Sequence, residues 1–499
     1  MMRRPESGHR NLCRSGCWAA CLLTGLIGGC TEAPQQEFAI RETTRDLIPE
    51  ARAAVESSLL TYFGTPTAAV AWERLPLKFG GAVGQVESVD GPNVLVQWDD
   101  GHAPTPAQSA PGSPVVWPGS GVRSGKVGAG DTVAAYDPEK RLLTLSAADP
   151  APAVGDRVAL NFGHTLQVGR VVYAKNCGHC HGASGDGEGP TAKYLNPRPR
   201  DYRNGVMKFT STATPARASR EDLKRMIREG IPGTYMPSFL LMKDEETDAV
   251  IEYILYLSMR GELEKRLGDI LKSDYALSEV QKTYDEKLAD YEAEKKAGEN
   301  PDPPKTLEQL TKKATDDFAD FLAEDFKTEL EDGADFIKDA WTAADEPDAA
   351  VLPHSARVAD DAASRERGRM LFLSDSTKCY TCHGPQGRGD GPATLDYWPK
   401  PGADEKYAQP GLHDVWGNPQ QPRDLTRGVY RGGRRPLDLY RRIHAGIKGT
   451  QMAGFGTALK DDQIWDVVNY VMSLPYESSA PSSAVPAQQT AATAPRTSN

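Results

Sequence analysis

The chain has no run of about eighteen consecutive apolar residues that would read as a mature membrane-spanning helix. Cysteine is scarce, and its placement excludes a disulfide scaffold. Of eight cysteines, Cys13, Cys17, Cys21 and Cys30 lie in the first thirty residues, while Cys177/Cys180 and Cys379/Cys382 form two C-x-x-C pairs, with none left over. Positive charge is not in excess: the formal net charge is −11 and nothing reads as a basic stripe, which argues against a nucleic-acid partner. No catalytic triad, nucleotide-binding glycine loop or paired-carboxylate framework appears, so enzyme chemistry of those kinds is not legible. What remains is a chain of 499 residues, too long for one core, for which about three or four domains are expected.

The negative charge belongs to one segment. Between Gly261 and Ala350 there are 26 acidic and 12 basic residues, a net −14, which leaves +3 for everything else. At the N-terminus Arg3, Arg4, Arg10 and Arg14 precede a short apolar run, Trp18 to Gly29, as in a signal peptide. The run ends in Ile27-Gly28-Gly29-Cys30, which resembles a bacterial lipobox. That resemblance implies that Cys30 is the lipid-acylated first residue of the mature protein; the alternative is a plain signal peptide cut elsewhere. Residues 1–30 are thus expected to be a lipoprotein signal peptide, and 31–74 a stalk with one amphipathic helix near Asp46 to Tyr62.

Over 75–166 the texture changes. Val83, Val86, Val89, Val94, Val96 and Trp98 recur in short alternating runs cut by turn residues, with Asp100-Gly101 as a hairpin signal. A small all-β barrel or sandwich of about five to seven strands is expected there, with His102 and His164 on loops or the surface. Segment 261–355 has helical spacing on two faces, Leu277/Val280/Tyr284/Leu288/Tyr291 and Phe318/Phe321/Leu322/Phe326, broken by Pro301, Pro303 and Pro304. It reads as an acidic helical hairpin, either a solvated spacer or a docking surface for a basic partner, the spacer being favoured. The tail, 477–499, is rich in Ala, Pro, Ser and Thr and is expected to be disordered.

The remaining segments, 167–260 and 356–476, repeat one another. CGHCHGASGDGEGPTA reads against CYTCHGPQGRGDGPAT, PRDYRNGVMKF against PRDLTRGVYRG, GIPGTYMPSF against GIKGTQMAGF, and each copy closes with an amphipathic helix. Four blocks in one order indicate duplication. Each C-x-x-C pair is followed directly by a histidine, His181 or His383. Two thiols on one helical turn reach the two vinyl groups of a haem, and the adjacent imidazole falls beneath the iron. A redox dithiol or half a zinc site is the alternative for a single such motif. Two copies, each with its histidine and a following glycine, favour attachment of two covalently bound haem c groups.

On these residues the two repeats resemble class I c-type cytochrome domains, and the pair resembles the tandem dihaem cytochromes that serve respiratory oxidases. The resemblance covers roughly 200 of the 499 residues. It implies two all-α domains within a multidomain chain, each with an N-terminal helix crossing the last one. Gly169 and Tyr173, and Gly368 and Phe372, fit the expected crossing, the aromatics lying near Tyr253 and Tyr470. It also implies a methionine as sixth iron ligand, at Met236 and Met452 in matching G-I-x-G-T-x-M loops. Ala453, where the first copy has Pro237, departs from the pattern and loosens the second loop.

The rival histidines are weaker candidates. His179 lies inside the attachment motif, His354 in the linker and His9 in the signal peptide. His444 has Arg228 as its counterpart, and His413 is the best challenger in the second domain. Arg200 and Arg423 are expected either to donate to haem propionates or to pair with Asp201 and Asp424 in holding a loop. Function follows as an expectation: a dihaem carrier and no enzyme, lipid-anchored at the periplasmic face of a bacterial membrane. Its expected partners are a quinol-oxidising complex and a terminal oxidase. A haem enzyme such as a dihaem peroxidase, or an electron-wiring subunit of a larger complex, is the alternative.

Overall fold

The structure is a computed structural model and describes residues 36–99, 103–117, 131–147, 151–401 and 404–477. Cys30 and the other leader cysteines, His9, Asp100-Gly101, His102 and residues 478–499 lie outside the described residues.

The chain enters through α1 (Glu42–Arg45) and α2 (Pro49–Phe63). Pro49 opens α2, where a missing N–H leaves no helical bond unmade. Ala51, Val55, Leu59 and Phe63 recur every four residues and are all buried. The helix therefore does not stand in a stalk; its apolar face is part of the first helical core.

Six antiparallel strands follow: β1 (Ala82–Asp90), β2 (Asn93–Trp98), β3 (Val115–Val116), β4 (Val133–Asp137), β5 (Leu142–Leu145) and β6 (Arg157–Leu160). Their order is β3-β6-β1-β2-β5-β4. Alternation puts Val86, Val94, Val96, Trp98, Leu143, Leu145, Val158 and Leu160 into one interior. The sheet curls until its edges meet, with Pro114 bridged to Thr132 and Val115 N–H donating to the Asp131 carbonyl at 2.9 Å. The β1–β2 hairpin turns at Gly91-Pro92, where Gly91 has φ +55°.

The first repeat comprises α3 (His164–Asn176), α4 (Gly178–His181), α5 (Arg220–Glu229) and α6 (Asp244–Tyr275). His164 is exposed at the start of α3. The domain boundary expected at 260/261 is not where α6 ends: the helix runs on through Gly261 and Glu262 for 32 residues in all. Next come α7 (Leu277–Lys296), α8 (Leu307–Glu324) and α9 (Phe326–Ala344). The two expected helical blocks break at Ala276 and Asp325, so the acidic segment is a three-helix addition rather than a hairpin. It is not a solvated spacer either. Phe318, Phe326, Leu330, Ile337 and Trp341 are buried in the core of the first repeat, while the carboxylates face outward.

The second repeat comprises α10 (Ala362–Phe372), α11 (Cys379–His383), α12 (Pro436–Ala445) and α13 (Asp461–Glu477), around a separate, smaller core. In both repeats the first helix crosses the last at a glycine. A Cβ on Gly169 would collide with the Ala249 carbonyl, and one on Gly368 with the Asp466 carbonyl. Beside each crossing the aromatics meet, Tyr173 with Tyr253 at 5.2 Å and Phe372 with Tyr470 at 5.4 Å between ring centroids. Among the described residues no helix is long and apolar enough to cross a membrane.

Candidate haem sites

Both attachment motifs form a short helix ended by a glycine in a conformation other residues resist, Gly182 at φ +76° and Gly384 at φ +74°. The glycine turns the chain away at once, which leaves the preceding histidine on the inner side. His181 Nδ1 lies 3.1 Å from the carbonyl oxygen of Arg200, and His383 Nδ1 lies 3.3 Å from that of Arg423. With the Nδ1 proton donated to a backbone carbonyl, Nε2 keeps its lone pair for a metal, and the ring cannot swing. Burial depresses the His181 pKa to about 4 and lowers that of His383, which favours the neutral ring that a ligand needs. Tyr202 stacks on His181 at 4.7 Å.

The cysteines lack the character of a redox dithiol. Burial pushes the Cys177 thiol up to about 12 and raises Cys379 and Cys382 as well. A reactive dithiol needs the opposite shift. Among the described residues no group of three His, Cys, Asp or Glu side chains is arranged to hold a bare metal ion.

The methionine loops coincide bond for bond. In the first, Ile231 N–H donates to the Met236 carbonyl (3.2 Å) and Met236 N–H to Thr234 Oγ1 (3.1 Å). In the second, Ile447 N–H donates to the Met452 carbonyl (3.0 Å) and Met452 N–H to Thr450 Oγ1 (3.2 Å). Ala453 therefore does not change the hydrogen bonding that presents Met452. In the first domain Cys177, Cys180, His181 and Met236 line a single cavity walled by Leu223, Ile227, Phe239 and Ile254. Two thiols, one neutral imidazole and one thioether around an apolar slot are the donor set a haem c requires, so the residues fit the group.

Of the two expectations for the arginines, the pairing with Asp201 and Asp424 is not made. Asp201 is held by Arg203 at 2.9 and 3.0 Å, and Asp424 accepts from Thr426 Oγ1 at 2.6 Å, so neither pairs with the arginine before it. Arg200 lines the first cavity, its guanidinium 3.7 Å from the Trp416 ring of the second domain. Arg423 Nε donates to the Val429 carbonyl at 3.3 Å, and its guanidinium lies beside Gly233 in the first domain's methionine loop.

The histidine rivals are accounted for. His413 stacks flat on Tyr407 at 3.8 Å, with Nδ1 2.9 Å from the Gly411 carbonyl. His444 stacks on Tyr440 at 5.7 Å; His179 and His354 are exposed. The sequence reading passed over Lys208, Asp414, Trp416, Gln420 and Arg431, which gather where the two repeats meet. The signal was available: the second repeat carries a long insertion before its Pro-Arg-Asp block.

Two small helical domains, each presenting paired thiols, a carbonyl-anchored histidine and a methionine loop, define the class as cytochrome c domains. Comparison with known proteins agrees. The cytochrome c family model matches residues 166–258 and 366–475. Two such domains, each with its own attachment motif, support a multi-haem c-type cytochrome with two covalently bound haems, and cytochrome c domains imply electron transfer. No curated protein matches the chain. Among solved structures it is similar to a chain of the reducing HAO-like protein complex of Kuenenia stuttgartiensis, with 23% identity and a TM-score of 0.39, over 62% of this chain and 96% of that one.

Proposed function

We propose that this chain is a dihaem electron carrier rather than an enzyme. In this reading His181 and Met236 would hold one haem iron, and His383 and Met452 the other. The observation that carries it is the duplicated construction: both domains present a carbonyl-anchored imidazole and an identically bonded methionine loop. When bound, each haem supplies an iron that takes up and returns one electron. The chain's contribution is to fix the imidazole, to offer a soft thioether that favours the ferrous state, and to wall out water with aliphatic side chains. With an imidazole and a thioether offered to each iron, no position would be left for a reactant.

The place of action is part of the proposal. The lipobox at Cys30 supports anchorage at the periplasmic face of a bacterial membrane. The resemblance to oxidase-serving dihaem cytochromes supports a route from a quinol-oxidising complex to a terminal oxidase. An apolar rim on the first domain suits partner docking: Tyr235 and Leu240 are each 64% exposed and Leu241 98%, next to Met236 in sequence. The corresponding positions of the second repeat hold Gln451, Gly456 and Thr457.

The test is a redox titration of the purified full chain followed by visible and magnetic circular dichroism spectra. Two methionine-ligated haems are expected, with Met236→Ala and Met452→Ala each abolishing half of the weak long-wavelength ferric band of sulfur ligation. A vacant or histidine-filled position in the wild-type protein, or turnover of peroxide, would move the assignment to a haem enzyme.

A further inference from the structure

Nine residues separate Gly189 from Pro199 in the first repeat, whereas thirty separate the matching Gly391 and Pro422 in the second. The extra segment folds on itself through bridges between Tyr397 and Gly411 and between Pro399 and Lys406. Its end then lies on the first domain. Lys208 Nζ donates to Asp414 Oδ2 at 3.1 Å and to Gln420 Oε1 at 3.0 Å, and Trp416 covers the Arg200 guanidinium.

The cavity that holds Cys177, Cys180, His181 and Met236 is therefore lined from both domains. Arg200 and Lys208 come from the first, Gln420 and Arg431 from the second. The charge there does not balance. Four cations line this cavity: Arg198 is paired with Glu188 at 3.1 Å, and for the other three the one carboxylate bonded among them is Asp414, which Lys208 already occupies. The Arg431 Nε is buried with no hydrogen-bond partner. Burial, and then the nearby Arg423, lowers the pKa of Arg431; burial, and then the nearby Arg200, takes that of Lys208 down to about 8 against the pull of Asp414. Buried guanidinium groups call for an anion with paired oxygen acceptors. Haem supplies two carboxylates, on the porphyrin edge away from the vinyl groups that the cysteines hold.

We propose that the second domain completes the first haem site, with Arg431 and Gln420 reaching across the seam to bind, together with Arg200 and Lys208, the carboxylates of the haem in the first domain. The proposal rests on the haem reading above and adds to it a direction: the first site depends on the second domain. The seam also buries the carboxylate edge of the first haem, leaving the rim around Met236 for exchange with other proteins.

The test is spectroelectrochemistry of the full chain carrying Arg431→Met, with the first haem's wave identified by its response to Met236→His. A cation beside the carboxylates favours the ferrous state. Its removal is expected to shift the first haem's reduction equilibrium about tenfold toward ferric, which is about 59 mV for one electron, with the second haem unmoved. Arg431→Lys should restore most of the shift. In reduced-minus-oxidised infrared spectra the carboxylate bands should move in R431M and return in R431K. An unchanged first haem, an equal shift of both haems, or a shift of the second alone overturns the proposal. If R431M does not fold, Gln420→Leu serves, with a smaller shift of the same sign expected and the same outcomes decisive. Haem content by pyridine haemochrome keeps the two claims apart: two haems per chain with no shift defeats this proposal only, whereas missing haem defeats the carrier reading itself.

Discussion

The two cytochrome domains are built from the same parts and embedded in different surroundings. The glycine helix crossing, the carbonyl-anchored histidine and the methionine loop recur almost unchanged. Around them the repeats diverge. The first is fused into a large core that also holds α2, α8 and α9, and its last helix has 32 residues against 17 in the second. The second stands on a small core of its own and sends out the insertion that covers its neighbour. Duplication kept what an iron site needs, and the additions made the two sites unequal.

The largest test of that contrast is at Trp341. Its ring is 2% exposed in the first core, and Nε1 donates to the buried Glu262 carboxylate at 2.8 Å. Trp341→Ala opens a cavity and removes one hydrogen bond from that carboxylate, which Arg217 still holds, for a loss of about 3–5 kcal/mol. In guanidinium titrations the first domain's transition should move to lower denaturant while the second's stays put. Equal movement of both would mean that the two cores fold as one.

A smaller effect probes the seam. Lys448, in the second methionine loop, donates to Thr212 Oγ1 and to the Ala216 carbonyl of the first domain, both at 2.6 Å. Burial draws its pKa down to about 8 from the ordinary lysine value of 10.5. Between those values the unfolded chain holds more protons than the folded one, so this group makes stability rise with pH across that window and contributes no slope below it. Each unit of the shift is worth about 1.4 kcal/mol. Wild type should therefore gain stability between about pH 8 and 10 relative to Lys448→Met; parallel curves would remove the buried ammonium from the account.

How much of this was legible beforehand depended on the kind of signal. The two haem attachment motifs were, because attachment chemistry demands particular residues at fixed spacing, and duplication printed the pattern twice. The end of the first domain was not. Glu262 and Glu264 read as the start of a charged, solvated segment, yet both are buried, paired with Arg217 and Arg260. Paired burial cancels the charge that composition counts, so α6 continued where a boundary was expected. The acidic helices misled for the same reason: net charge describes the outer face, while Phe318 and Trp341 on the inner face decide where the segment packs. Arg200 and Arg423 were marked as important, but their first service is through backbone carbonyls, which no side-chain pattern reveals.

The finest difference between the domains is one residue. Pro237 follows Met236, and Ala453 follows Met452, in loops with the same hydrogen bonds. A proline forces the residue before it into extended conformations, and Met236 accepts that restriction. Because Met452 makes the same pair of bonds, its backbone is suited to the same restriction. Ala453→Pro should therefore fit without strain and act on the unfolded chain, stabilising the second domain by about 0.4–1 kcal/mol. Thermal unfolding should show the second transition alone moving upward, with the methionine–sulfur band unaltered. If that band weakens instead, the two loops differ in backbone despite their shared bonds, and the near-identity of the two iron sites fails at Met452.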